Sequence, residues 1–512
     1  MIKILTLRST VMLLNDELLL DYRRCERRSY LNVYGDISQR EPERDFVLKL
    51  RQENRLQVME FLAGREHCTP HFPASDWQLG AKQTAEWMAE GVNLIERGVL
   101  LLHEPISRVL AELSPEGETD GDAERRGESV VFVGRPTLLV KQPGQSRWGD
   151  WCYVPVNIRL GKRAKPEYKI VSAFHAYLLG RLQGERPLET QLILRDLDYY
   201  GVDLTVWFPR LAETLAGCWQ MLAEKREPEV FISRQRCGLC HWHSSCHAIA
   251  QTQQHLSLVP GVTPSRYEEL QQLGVNSLEQ LAHFTLPEVT ENLDFTVGEQ
   301  LQLQALALWD NKPILRPQAP YHFKQQLPQN TIELYFDIEA EPERNVDYLL
   351  GVLYVNHTTQ TQKFYTFLAE QPEDEPFIWH QCLALFERYP QAPIFHFADY
   401  EVDTVKRLSR SYGIPSQPWR KFLQRFVDIH HWVTASVVAP VESYSLKSLA
   451  KWLGFEWRDP DMSGDQTVCW YDQWLQKGDR HYLDAIVRYN EDDCRATYHL
   501  KMWLQEFLNG EP

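Results

Sequence analysis

Apolar and polar positions alternate from Thr331 to Glu339. Ile332, Leu334, Phe336 and Ile338 fall on one face of a strand, and Glu333, Tyr335, Asp337 and Glu339 on the other. Strands are also predicted at 349–356, 362–368 and 393–397, with a helix at 375–388 and further helices beyond. A β-rich start that passes into α/β alternation predicts a mixed sheet covered by helices. The N-terminal half opens with a helical stretch from Asp16 to Tyr34. Strands follow at Val130–Val133, Leu138–Lys141 and Cys152–Leu160, then a helix from about Tyr168 to Leu182. The acidic, Gly-containing insert Ser114–Glu128 reads as a solvated loop between strands.

Between these regions, Leu258-Val-Pro-Gly261-Val262, Leu270, Leu273-Gly274-Val275 and Leu278–Leu281 predict two short helices joined by a Gly-containing turn, followed by another pair. Pro313, Pro317, Pro320 and Pro328 mark an extended linker. The expected chain is α/β and multidomain, with parts at 1–250, 251–310, a linker at 311–330, and 331–512.

At 512 residues the chain has room for about two to four domains with sizeable cores. Sixteen tryptophans argue against disorder, and no apolar run reaches the length of a membrane span. The start, Met-Ile-Lys-Ile-Leu-Thr-Leu-Arg, lacks the apolar core of a signal peptide, so a cytoplasmic protein without a membrane partner is expected. A net charge of −16 argues against a protein that coats nucleic acid by charge alone, though not against an enzyme that grips a strand end in a local groove. Lys406, Arg407, Arg410, Arg420, Lys421 and Arg425 form a local basic stretch, which reads either as a solvated helix face or as a phosphate contact.

Two residue pairs, one of carboxylates and one of a phenol with a carboxylate, carry candidate chemistry. Asp337 and Glu339 point the same way from a strand, and Tyr489 and Asp493 share a helix face at i, i+4 spacing. Carboxylates that converge repel one another unless cations neutralise them, so divalent metal is the natural resident. A third acidic element lies between them in Ile394-Phe395-His396-Phe397-Ala398-Asp399-Tyr400-Glu401. With these three motifs in order, residues 331–512 resemble the DEDDy exonucleases of the RNase H-like superfamily. The resemblance implies catalytic and metal-binding roles for Asp337, Glu339, Glu401 and Asp493, with Tyr489 hydrogen-bonding the attacking water. It also implies two Mg²⁺ or Mn²⁺ ions and 3′–5′ hydrolysis. Glu401 is one methylene longer than the family's Asp, and Asp399 and Asp403 flank it as alternative ligands.

Ten cysteines in so long a chain do not suggest a disulfide framework. Three cluster as Cys237-x2-Cys240-x5-Cys246, and Cys25 can supply a fourth thiolate. One early and three late cysteines resemble the iron–sulfur RecB-like nucleases, including the AddB type, which implies a structural [4Fe–4S] cluster. Zinc is the rival, because His241, His243 and His247 sit among the cysteines. The nuclease motifs of that family, Gly-x-x-Asp, Asp/Glu-x-Lys and a helical Gln and Tyr, have degenerated here. They read Gly134-Arg-Pro-Thr137, Asn157-Ile-Arg159, and Val171 with His175. Thr137 and Asn157 are neutral and Arg159 stays protonated, so this site is expected to be inactive, with Asp150 the one stand-in acid.

The expectation is therefore a degenerate RecB-like, restriction-endonuclease-type domain, a small helix-hairpin-helix-like module and a C-terminal RNase H-like domain. Together they would make a metal-dependent exonuclease acting on nucleic acid, single-stranded or with a free 3′ end, DNA before RNA. The rival readings are a non-catalytic nucleic-acid-binding scaffold and an active N-terminal nuclease.

Overall fold

A computed structural model describes residues 12–74, 76–113, 129–284, 295–317, 327–413, 422–460 and 462–510. The expected loop at Ser114–Glu128 lies outside the described residues, as do Pro320, Arg420 and Lys421. The fold is mixed α/β, and the chain divides into two compact units, Met1–Cys246 and His247–Pro512. No described helix is long and apolar enough to cross a membrane.

The first unit begins with β1 (Met12–Asn15), α1 (Asp16–Arg24), α2 (Glu26–Tyr34), α3 (Asp45–Leu62) and α4 (Trp77–Glu90). Next come β2 (Leu94–Glu96), β3 (Leu100–Pro105), α5 (Ile106–Leu113), β4 (Ser129–Gly134), β5 (Leu138–Ser146) and β6 (Gly149–Ile158). It closes with α6 (Pro166–Gln183), β7 (Glu189–Ile193), β8 (Tyr199–Asp203), α7 (Leu204–Ala223) and the single turn α8 (Arg234–Cys237). A five-stranded sheet has the order β2-β5-β6-β7-β8, and a three-stranded one β1-β4-β3.

Helix α6 is buried on every side from Ile170 to Gly180, through Ile170, Val171, Phe174, Tyr177 and Leu178, so its middle lies in the core. The helix expected from Asp16 to Tyr34 is broken at Cys25, whose extended backbone (φ −164°, ψ 115°) ends α1 and starts α2. The Asn32 amide donates to Asp21 at 2.8 Å and ties the two halves together across the break.

Helix α9 (His243–Thr252) leads into the second unit, whose first described helices are α10 (Pro264–Gln272), α11 (Leu278–His283) and α12 (Phe295–Asp310). The Leu258–Val262 turn uses Gly261 at φ +96°, where only glycine is unstrained. The linker is not wholly extended and solvated. Ile314–Leu315 (β9) pairs antiparallel with buried Val437–Val438, although Leu315 itself is exposed.

The main sheet of this unit contains β10 (Ile332–Glu341), β11 (Val346–Asn356), β12 (Thr361–Leu368), β13 (Ile394–His396) and β14 (Phe426–Asp428), in the order β12-β11-β10-β13-β14. Its helices are α13 (Glu375–Arg388), α14 (Tyr400–Tyr412), α15 (Ile429–Ser436), α16 (Leu446–Trp452), α17 (Gly464–Lys477) and α18 (Arg480–Asn509), with β15 (Val437–Val438) after α15. Central β10 is antiparallel to β11 and parallel to β13. Its alternation separates two cores rather than core from solvent. Leu334, Phe336 and Ile338 pack with Trp379 and Phe386 on one side, and Tyr335 packs with Phe395, Val433 and Leu500 on the other. Glu333 survives burial on the second side because Lys501 of α18 reaches it at 2.9 Å.

Candidate active site

The face of β10 that carries Glu333 and Tyr335 also carries Asp337 and Glu339, and α18 lies along it. Asp337 stands opposite Gly351 of β11. A Cβ at Gly351 would sit 1.6 Å from Asn490 Oδ1, so a side chain there would displace Asn490. The same Asn490 donates its amide to Asp337 Oδ2 at 2.6 Å. The register of β10 shifts after Glu339, a bulge that re-aims the strand where the acids end. Glu339 accepts from Thr467 Oγ1 of α17 at 2.7 Å, and Asp493 of α18 accepts from Trp457 Nε1 at 2.7 Å.

Each acid is thus steadied by at least one neutral donor, and Asp493 by Tyr489 as well. Asp337, Glu339 and Asp493 each offer an oxygen to a common point, with these atoms all within 4.8 Å of one another. No other described set of three or more acidic, His or Cys groups meets that spacing.

Glu401 approaches from the other side, at the start of α14. It is 4% exposed, and its Oε2 is buried without a hydrogen-bond partner, 3.6 Å from His396 Nδ1. The turn that sends it inward passes through Ala398 at φ +74°, a strained conformation for a residue with a side chain. Asp428 accepts from the Ala398 amide at 2.9 Å, and His396 Nδ1 donates to the Ala398 carbonyl at 2.7 Å, which holds the turn. The flanking acids point away: Asp399 is exposed, and Asp403 is exposed and paired with Lys406 at 2.9 Å.

Burial and mutual repulsion disfavour ionisation throughout. Burial, then Asp493, pushes Glu339 up to about 8. Burial pushes Asp493 up to about 7, against the Trp457 hydrogen bond. Burial and the three other acids hold Asp337 well above the carboxylate range, and burial raises Glu401 as well. Tyr489, one turn before Asp493, stays a neutral phenol because burial and the same carboxylates oppose its ionisation.

The basic stretch after Glu401 is largely structural. Arg407 is paired with Asp347 and Glu375, Lys406 with Asp403, and Arg425 donates to the Phe386, Tyr389 and Ala392 carbonyls. Arg407 is neutralised by two buried acids and the donors of Arg425 are taken by carbonyls, so neither is free to contact a phosphate, whereas Lys406 stands in a solvent-exposed pair.

In the first unit, the positions singled out as a degenerate nuclease site lie around β6 and α6. Thr137 Oγ1 accepts from the Ile158 amide at 3.1 Å. Asn157 donates to Ser172 Oγ at 3.0 Å and faces His175 Nδ1 at 3.0 Å. His175 is fully buried, and its Nε2 meets Asp16 Oδ2 at 2.9 Å. Asp150 is no stand-in acid. It sits exposed at the opposite end of β6, accepting from Gln145.

The fold also brings Cys25 to the late cysteines. Cys25 lies in electrostatic reach of Cys237, Cys240 and Cys246, whose thiols are raised first by burial and then by one another, Cys240 to about 11. Arg27, Arg28 and Arg236 stand close enough to lower them. Two of the three histidines are engaged elsewhere: His241 bonds Asn32 at 2.8 Å, and His247 bonds Glu442 at 2.6 Å.

Sequence reasoning missed the partners of the acids. Asn490, adjacent to Tyr489, and Gly351, an unexplained glycine in a strand, were the available signals; Trp457, Thr467, Asp428 and Asp16 left none.

A scan of family models matches residues 334–505 to RNase_H_2, of the RNase H superfamily. No curated protein matches the chain. The C-terminal domain is RNase H-like, and the fold supports a nuclease acting on nucleic acid with divalent metal.

Proposed function

We propose that the RNase H-like domain is a 3′–5′ exonuclease that hydrolyses phosphodiester bonds by a two-metal mechanism, with DNA its preferred substrate. The observation that carries this reading is the convergence of half-buried Asp337 and Asp493 with buried Glu339, none of them ion-paired to a lysine or arginine, and with the orphaned Glu401 oxygen beside them. Such a group is stable as a binding site and costly as anything else. The donor set is all oxygen and carries up to four negative charges, which suits Mg²⁺ or Mn²⁺ rather than a thiophilic metal. Asp337, Glu339, Glu401 and Asp493 would hold the ions, which supply an activated water and neutralise charge on the departing 3′ oxygen.

The chain's own residues then divide the work. Asn490, Thr467 and Trp457 fix the carboxylates by occupying one oxygen of Asp337, Glu339 and Asp493 in turn. Tyr489, neutral and buried beside Asp493, donates a hydrogen bond that orients the attacking water.

The test is hydrolysis of 3′- and 5′-labelled single-stranded DNA and RNA with Mn²⁺ by wild type and Asp337→Ala. Stepwise loss from the 3′ end, absent in the variant, is expected. Activity that survives the substitution would move the chemistry out of this domain.

For the first unit we propose an inactive RecB-like domain that binds nucleic acid and is stapled by a [4Fe–4S] cluster on Cys25, Cys237, Cys240 and Cys246. The engagement of His241 and His247 favours an all-cysteine ligand set, as in iron–sulfur, over a Cys/His zinc site. Protein purified without oxygen should be brown and contain iron and sulfide, and Cys25→Ser should bleach it. A colourless, zinc-loaded protein would overturn the assignment.

A further inference from the structure

One end of the five-stranded sheet in the first unit is unlike the rest of this acidic chain. Strand β6 ends at Ile158, and the segment up to α6 reads Arg159-Leu-Gly-Lys162-Arg163-Ala-Lys165. From Arg159 to Lys169 there are five cations and one acid, Glu167, in a protein of net charge −16. That acid is taken up by Arg24 at 3.6 Å. Lys162, Arg163 and Lys165 are exposed, and none of them has an ion-pair partner among the described residues.

The segment is held in place rather than draped. The Arg159 amide donates to the Ile193 carbonyl at 2.8 Å, and Arg195 Nε donates to the Leu160 carbonyl at 2.8 Å. It runs into the N-terminus of α6, where Pro166 opens the helix and no side chain caps it. An uncapped N-terminus adds partial positive charge to the same spot.

Aromatic rings interleave with these cations. Arg159 lies 5.8 Å and Lys165 5.9 Å from the centre of the Tyr168 ring. Lys169 lies 4.6 Å from the Tyr200 ring and donates to its hydroxyl at 2.8 Å. Tyr199 and Tyr200 are 64% and 38% exposed on β8, the edge strand, at the end where Tyr199 pairs with Ile193. Arg159 Nε is buried with no hydrogen-bond partner. Exposed Asp198 also lies at this end, and Asp16 and Glu17 stand in electrostatic reach of Arg159.

Cations placed along a fixed backbone track, with rings beside them, match the two needs of a single strand: phosphate neutralisation and base stacking. We propose that this end of the sheet, the Arg159–Lys169 segment with Tyr168 and Tyr200, is a single-stranded nucleic-acid binding site. It locates the binding role assigned to the first unit and rests on that reading, but not on the C-terminal chemistry. Phosphates lie along Lys162, Arg163 and Lys165, and a base stacks at Tyr200. No bond is broken there.

The experiment titrates fluorescein-labelled (dT)20 into the full-length protein in EDTA, across a salt series, by anisotropy. Removing three phosphate-facing cations lowers the salt slope by about 2, since each contact on a single strand contributes about 0.7, and at 0.1 M salt the loss is on the order of 100-fold. Lys162→Ala/Arg163→Ala/Lys165→Ala should show both changes, while Lys162→Arg/Lys165→Arg should retain wild-type binding. Tyr200→Ala should weaken binding roughly 5- to 100-fold, the range for one lost base stack, and Tyr200→Phe should not.

Wild-type affinity and salt slope in the triple variant would overturn the site. Equal affinity for a 20-base-pair duplex would overturn its single-strand character. The outcome is independent of hydrolysis. Cation-dependent binding by a protein that cuts nothing would sink the exonuclease and leave this site standing. Hydrolysis with no effect of the triple variant on binding would do the reverse.

Discussion

In the first unit, Asp16, His175, Asn157 and Ser172 satisfy one another; in the second, Asp337, Glu339, Glu401 and Asp493 do not. Both groups are packed between strands and a long helix, and both are at least half-buried. The first contains a single acid, answered by a histidine and a backbone amide. The second gathers four acids and gives them neutral donors, a histidine 3.6 Å from Glu401, and Lys447 only in electrostatic reach of Asp493. A buried acid with an internal partner is complete, whereas one without a partner defines a place for a cation. Strand β10 holds both cases four residues apart: Glu333 is paired with Lys501, and Asp337 is not.

That contrast can be broken in several ways. The largest effect is expected from Asp493→Asn, which should lower hydrolysis at least about a thousandfold, well beyond the roughly 10- to 100-fold cost of losing a residue that merely supports a ligand. Single-turnover cleavage of a labelled strand measures it, and near-normal rates would remove Asp493 from the chemistry. Lys501→Met should cost about 3–5 kcal/mol in urea unfolding, because the buried Glu333 loses its lysine and keeps only the Tyr335 hydroxyl and the part-exposed His357. The double variant Lys501→Met/Glu333→Gln should recover most of this, and failure to recover would mean that the pair matters for packing rather than charge. Trp457→Phe keeps the packing and frees Asp493 Oδ1; a loss of about 10- to 100-fold in activity is expected, with stability little changed.

His175→Ala in the first unit should cost about 1–3 kcal/mol of stability by orphaning Asp16 and Asn157, with the rate of hydrolysis unaffected. A lost rate would mean that the first unit takes part in the reaction.

The smallest effect is one of pH. Glu339 and Asp493 have folded pKa values of about 8 and about 7, above their ordinary values of 4.5 and 3.8. The folded state therefore holds protons that the unfolded chain has released. The associated stability is fully present below about pH 4 and is lost as pH rises through 7 and 8. In EDTA the protein should melt at a lower temperature at pH 8.5 than at pH 6, Mn²⁺ should restore it, and Asp493→Asn should flatten the profile. A melting temperature that rises with pH in EDTA would contradict the arrangement of acids.

Some of this site was legible in the chain alone. Two-residue spacing placed Asp337 and Glu339 on one face of β10, and four-residue spacing placed Tyr489 beside Asp493, because strand and helix periods are properties of the local backbone. The helix at 375–388 and the strands before it follow from the same periods and occupy their expected places. Pairings over long separations were not legible. Glu401 faces inward, rather than Asp399 or Asp403, because Asp428 and His396 hold Ala398 in a left-handed turn. The basic side chains Arg407 and Arg425 look available in the sequence and are consumed by acids and carbonyls brought to them by folding.

Asn490 can steady Asp337 only because Gly351, on a different strand, leaves room for it. Asp16 meets His175 across 159 positions, with no mark in either neighbourhood. The periods of the backbone, and with them which side chains share a face, were set by the sequence. Which faces meet, and which charges are left without a partner, was decided by tertiary packing, since burial and mutual distance do not exist until the elements pack.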